Sequence, residues 1–135
     1  MVMQGALPLI WRNIHQRYNL IGTHCKTCQA DFFPERLICP NCRRKGVLVE
    51  KQMPHTGKLL SYTKVLVPPS GFEMQVPYYI ALVKLDNNVN VLTQLVDVTD
   101  DEVKTGLEVK AVFRKIFEDG HEGVIAYGFK FTPTK

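Results

Sequence analysis

What this sequence lacks is a cysteine to spare. It has four, all within one stretch, Cys25-Lys26-Thr27-Cys28 and Cys39-Pro40-Asn41-Cys42. If all four serve together, no thiol is left as an acyl nucleophile. No serine stands in a G-x-S-x-G elbow, and no glycine-rich phosphate cradle occurs. The four histidines, His15, His24, His55 and His121, are dispersed along the chain. No apolar run approaches the ~20 residues that span a bilayer, so no membrane role is expected. The opening Met1-Val2-Met3-Gln4-Gly5-Ala6-Leu7 lacks both a basic start and a long apolar core, so a secretory leader is not expected. A reducing, cytoplasmic setting is the expectation that follows. Nothing points to the oxidising compartment that disulfides would need. Internal repeats and low-complexity segments are absent as well.

The 135 residues, 45% hydrophobic and 22% charged, suit one globular domain or a small module attached to one. Charge is unevenly spread. Residues 1–58 carry nine Lys and Arg against three Asp and Glu, whereas residues 59–135 carry eight against ten. The basic excess around the cysteines would suit phosphates, nucleic acid or an acidic protein surface. Arg43-Arg44-Lys45 reads equally well as a solvated turn.

Two C-x2-C turns, ten residues apart, each aim two sulfurs at one point, and together they close a tetrahedron. Cys25, Cys28, Cys39 and Cys42 are therefore expected to hold a structural metal with no open position. Zinc is favoured over iron, which also takes four thiolates. A redox C-x-x-C explains only one pair. Between the pairs, Phe32-Phe33-Pro34 and Leu37-Ile38 are expected to form a mini-core. A module of about 25 residues cannot fold on that alone, so metal must supply the missing free energy.

Ahead of the cysteines, Leu7, Ile10, Trp11, Ile14 and Tyr18 share one face of a helix that stops near Asn19 to Gly22. That face would pack on the chain's own core. Alternatively, with Trp11 as anchor, Ile10, Trp11, Ile14 and Tyr18 would dock on a partner. From Val47 onward the pattern is β. Leu59–Val67, Tyr78–Leu85, Val89–Val96, the alternating Leu107, Val109, Ala111 and Phe113, and Val124–Phe131 give about five strands. Thr99-Asp100-Asp101-Glu102 reads as a capping box and Glu118-Asp119-Gly120 as a hairpin. A small Greek-key barrel of the OB type fits, with an open sandwich as the alternative.

Several motifs recur in order: Trp11, Leu20-Ile21-Gly22, the cysteine pairs, Phe33-Pro34-x-Arg36, Gly57-Lys58-Leu59-Leu60-Ser61-Tyr62-Thr63, Pro77-Tyr78, Asp97 and Gly106-Leu107-x-Val109. With them the chain resembles the family called domain of unknown function 35, over about residues 8 to 131. The sequence departs from the family habit at Glu35 and His55, neither of which is a metal ligand. The resemblance implies a mainly β fold. An N-terminal amphipathic helix with its lead-in would occupy 1–22, a rubredoxin-like zinc ribbon 23–46, and a five-stranded OB-fold barrel 47–135. It also implies a non-catalytic accessory protein of acyl-CoA metabolism, accompanying thiolase-fold enzymes. In archaea a similar member holds acetoacetyl-CoA thiolase and hydroxymethylglutaryl-CoA synthase together, passing acetoacetyl-CoA between them at the start of the mevalonate pathway. Other members serve other thiolases, acyltransferases or hydratases, and direct binding of CoA or acyl-CoA is a second reading. Single-stranded nucleic acid is a third. Tyr62, Tyr78, Tyr79 and Tyr127 could stack on bases, but the acidic balance of the barrel half disfavours it.

Overall fold

The computed structural model describes residues 7–118 and 123–134, with Phe117 described by its backbone alone. The expected helix is present in two pieces, α1 (Leu7–Arg12) and α2 (Ile14–Asn19). They meet at Asn13, whose φ of −100° and ψ of 7° leave the helical region. Asparagine competes for backbone hydrogen bonds and tolerates such a break. Hydrogen bonds from Asn13 N–H to Leu9 O (3.2 Å) and from Arg17 N–H to Asn13 O (3.0 Å) carry the spiral across it.

α2 ends at Leu20, which adopts the left-handed conformation (φ 56°, ψ 52°). For a residue with a Cβ this costs about 1–2 kcal/mol. The side chain is 1% exposed, and its burial offsets that cost.

Three strands follow the helices as a small antiparallel sheet in the order β2-β1-β3: β1 (Ile21–Cys25), β2 (Asp31–Phe32) and β3 (Leu48–Gln52). Their pairing changes one expectation. Val47-Leu48-Val49 was expected to begin the barrel, yet Cys25 pairs with Leu48 and Ile21 with Gln52. The chain returns into the ribbon sheet before it leaves for the barrel. Leu37 and Ile38 also depart from the expected mini-core, since they are 92% and 64% exposed. With sulfurs filling the ribbon's centre, no apolar interior is left for them.

The barrel is closed, in the order β4-β5-β6-β8-β7: β4 (Thr56–Val65), β5 (Tyr78–Leu85), β6 (Asn90–Leu95), β7 (Glu108–Glu118) and β8 (Ile125–Pro133). β6 and β8 meet in parallel at Leu95 and Phe131, and every other pairing is antiparallel. This is the OB arrangement, and closure removes the sheet edges an open sandwich would expose. Leu59, Ala81, Val83, Leu85, Val91, Leu95, Val109 and Phe131 fill the interior. Each large apolar side chain so buried contributes about 1.5–3 kcal/mol.

The alternation in β7 holds up to a point. Val109 is fully buried, but Phe113 is half exposed. β4 pairs with β7 only from Glu108 to Lys110. Beyond that the β7–β8 pair outruns the barrel, and Phe113 meets Tyr18 of α2 edge-on at 5.0 Å. At the expected capping box, the Glu102 side chain accepts the Thr99 N–H at 3.1 Å, closing a single turn. Of the expected hairpin Glu118-Asp119-Gly120, the last two residues lie outside the described residues.

Ribbon and barrel share one interior. Leu20 and Met53 belong to the barrel's core cluster, and Phe33 packs against it, 5.5 Å from Phe129. Among the described residues no helix is long and apolar enough to cross a membrane.

Candidate metal centre

Each cysteine pair folds into the same knuckle. Gln29 N–H donates to Cys25 O, and Arg43 N–H to Cys39 O, both at 2.8 Å. The residue after each second cysteine takes the left-handed conformation, Gln29 at φ 59° and Arg43 at φ 54°. This bend turns both sulfurs of a pair inward. The four sulfurs lie within 4.8 Å of one another, and Cys28 Sγ is 3.6 Å from Cys39 Sγ. A Zn–S length of about 2.3 Å places the corners of a tetrahedron about 3.8 Å apart, so the cage has the right size.

The shell around the sulfurs is built for them. Cys42 N–H donates to Cys39 Sγ at 3.4 Å, and the Asn41 amide lies 3.9 Å from Cys28 Sγ. A side chain on Gly46 would put its Cβ 2.7 Å from Cys39 Cβ and 3.3 Å from Cys25 Sγ, so only glycine passes there. A backbone hydrogen bond from Cys28 lowers the Cys25 thiol to about 6. Desolvation, aided by the surrounding sulfurs, pushes Cys42 up to about 12. A divalent cation removes this conflict by taking all four as thiolates. The site is a structural zinc centre: its four corners are all protein sulfur, so no position remains for substrate.

His24, next to Cys25 in the chain, takes no part in the centre. Its Nδ1 lies 2.5 Å from Asp31 Oδ1. Asp31 also accepts from Lys51 Nζ (2.9 Å) and from Asn87 Nδ2 (2.8 Å), and Asn87 stands in the β5–β6 turn. Burial opposes ionisation of Asp31, but the hydrogen bonds from Lys51, His24 and Asn87 outweigh it and hold the carboxyl below its ordinary value. One carboxylate thus joins all three ribbon strands to a barrel turn. Sequence reasoning missed this, because residues 31 and 87 meet only in the fold.

The expected docking residues divide. Trp11 is 69% exposed, and α1 buries none of its side chains. Ile10 and Ile14 are half-buried. Tyr18 stands against Phe113, which stacks on Tyr127 at 5.4 Å with ring planes 9° apart. This forms a partly exposed aromatic run across α2, β7 and β8. Of the acids in the expected capping turn, Glu102 closes it, whereas Asp100 receives Lys64 Nζ at 2.8 Å and the Tyr79 hydroxyl at 2.5 Å from β4 and β5.

The fold and the cysteine cage together define a protein in which a zinc ribbon is fused to an OB barrel. Family models agree on both modules: "ChsH2, rubredoxin-like zinc ribbon domain" matches residues 12–47 and "ChsH2, C-terminal OB-fold domain" residues 50–114. The chain belongs to the DUF35 family. It is 47% identical over 123 residues to DUF35 domain-containing scaffold proteins of Methanocaldococcus jannaschii and Methanothermobacter thermautotrophicus. The match covers 91% of this chain and 87% and 92% of those two proteins. A probable enoyl-CoA hydratase alpha subunit of Thermomonospora curvata is 31% identical over 73% of this chain, which spans 30% of that longer protein. Among solved structures, one described as an Ltp2-ChsH2(DUF35) aldolase shares the fold, with a TM-score of 0.72 at 22% identity over 98% of both chains.

Proposed function

We propose that this chain is a non-catalytic scaffold subunit. On this reading it holds thiolase-superfamily enzymes, acetoacetyl-CoA thiolase and hydroxymethylglutaryl-CoA synthase, in one complex for acetoacetyl-CoA transfer at the start of the mevalonate pathway. The observation that carries the proposal is near-full-length identity of 47% to proteins named as scaffolds. The surface supports it. Trp11, Leu37, Val67 and Met74 are 69%, 92%, 84% and 97% exposed, and they stand on the helix, the ribbon tip and a barrel loop. Of these, Trp11 is the residue type most enriched at interface hot spots. The zinc centre, with four protein ligands, would hold the ribbon's shape rather than act on substrate.

Affinity purification of the chain from native extract tests this directly. Recovery of a thiolase and a synthase at fixed ratio is the expected result. Recovery of the chain alone, at low salt and without prior chelation, would overturn the proposal.

The hydratase relative favours one alternative, an acyl-CoA-binding accessory subunit of another enzyme. The two readings separate in titrations of the isolated chain. A scaffold without its enzymes should not bind acyl-CoA at micromolar concentration, whereas an accessory carrier should.

A further inference from the structure

The barrel carries a groove of about 710 Å³, walled by Phe72, Tyr78, Ile80, Leu92, Ile116 and Phe129. Its size lies in the range of small-molecule sites, roughly 300–1,000 Å³. Lys130 lines it and is only 5% exposed. The acceptor for its ammonium among the described residues is Gln75 Oε1, at 3.1 Å. That oxygen already accepts Gln94 Nε2 at 3.2 Å, while Gln75 Nε2 donates to Ile116 O at 3.0 Å. Gln75 is thereby fixed in place by β6, β7 and β8, and it is neutral.

A buried ammonium is costly unless an anion faces it. Among the described residues no carboxylate pairs with Lys130, nor with Arg17, which lines the same groove. The nearby charges are also cationic. Burial lowers the Lys130 pKa, and repulsion from Arg114 and Lys115 lowers it further. Arg114 is matched by Asp97, and Lys115 by Glu118. Among the described residues, Lys130, buried in the groove wall, and Arg17, exposed at its edge, are left without a carboxylate partner.

We infer that this groove binds a small amphiphile, an apolar chain ending in a carboxylate, with the carboxylate on Lys130 and Arg17 and the chain along Ile80, Leu92 and Phe129. The carboxylate accepts from the remaining donors of the Lys130 ammonium and from the guanidinium, and the chain covers side chains that otherwise face water. This site is separate from the zinc centre and does not depend on the scaffold reading.

Decanoate, decan-1-ol and inorganic phosphate, titrated into the zinc-loaded full chain and followed by backbone amide shifts and calorimetry, test it. Decanoate should bind one-to-one, at least tenfold more tightly than decan-1-ol, with shifts at Ile80, Leu92 and Phe129. Phosphate alone should not saturate at millimolar concentration. Lys130→Met should lose the preference for decanoate over decan-1-ol, and Arg17→Gln should weaken decanoate at least threefold. Equal binding of acid and alcohol, phosphate binding as tight as decanoate, or unchanged affinity in Lys130→Met would each overturn the assignment. If Lys130→Met fails to fold, Arg17→Gln and the acid-to-alcohol ratio of the native chain decide.

Discussion

Asp31 receives hydrogen bonds from His24, Lys51 and Asn87 at distances of 2.5 to 2.9 Å, so turning one carboxylate oxygen into an amide NH2 removes the charge and sets a donor against groups that themselves donate. Asp31→Asn should cost about 1–3 kcal/mol, measured by urea unfolding at neutral pH. The sign of the pH effect follows from the depressed pKa. The unfolded carboxyl titrates near its ordinary value of about 3.9 and the folded one lower, so in that window the unfolded chain binds more protons. Asp31's contribution is thus complete above about pH 4 and is lost as pH falls through the folded value. Zinc release also occurs in acid. The quantity to read is therefore the difference between native and Asp31→Asn stability curves, which should narrow as pH falls. A constant difference down to acid pH would refute the role assigned to this carboxylate. At Gly46, where a Cβ would lie 2.7 Å from that of Cys39, alanine should loosen the cage. Faster zinc loss to a chelator would register that change.

The helix and the ribbon are the elements on which the proposed docking rests. α1 buries no side chain, and Trp11 is 69% exposed. Trp11→Ala should therefore change monomer stability by no more than about 0.5 kcal/mol in thermal unfolding. The same substitution should weaken binding to a captured partner by at least ~1–2 kcal/mol. A variant that unfolds would instead mean that the face packs on its own chain. In the ribbon, Cys39→Ser removes one corner of the tetrahedron and should abolish stoichiometric zinc in elemental analysis. The apolar residues between the cysteine pairs do not compensate, because Leu37 and Ile38 face solvent.

At the scale of the whole molecule, the shared interior makes the two modules one cooperative unit. Leu20 precedes the ribbon sheet and Met53 follows it, yet both lie in the core with Leu59, Val83 and Phe131. Stripping zinc should accordingly lower the unfolding temperature of the barrel as well as disorder the ribbon. Met53→Ala should destabilise by about 2–5 kcal/mol and still give a single transition, with ribbon and barrel probes coinciding. Two separated transitions would show that the contact through Leu20, Phe33 and Met53 does not couple them.

The metal centre was legible from residue order alone, because C-x2-C is a local device: three residues of backbone set where two sulfurs point. The barrel strands were legible for a similar reason, since burial of one face imposes period two wherever a strand half-faces water. Where a non-local neighbour decides, the pattern was silent or misleading. Leu48 could have begun the barrel by composition, and only its pairing with Cys25 puts it in the ribbon sheet. Phe113 keeps the inward phase of Val109, and only the length by which β7 outruns β4 leaves it for Tyr18 to cover. Asp31 and Asn87, or Gln75 and Lys130, are too far apart in the chain for any periodicity to connect. The sequence by itself determined the metal ligands, the two modules and their order. Tertiary structure alone decided that those modules share a core, and that a lysine lies buried in an apolar groove, because both depend on which distant surfaces close on one another.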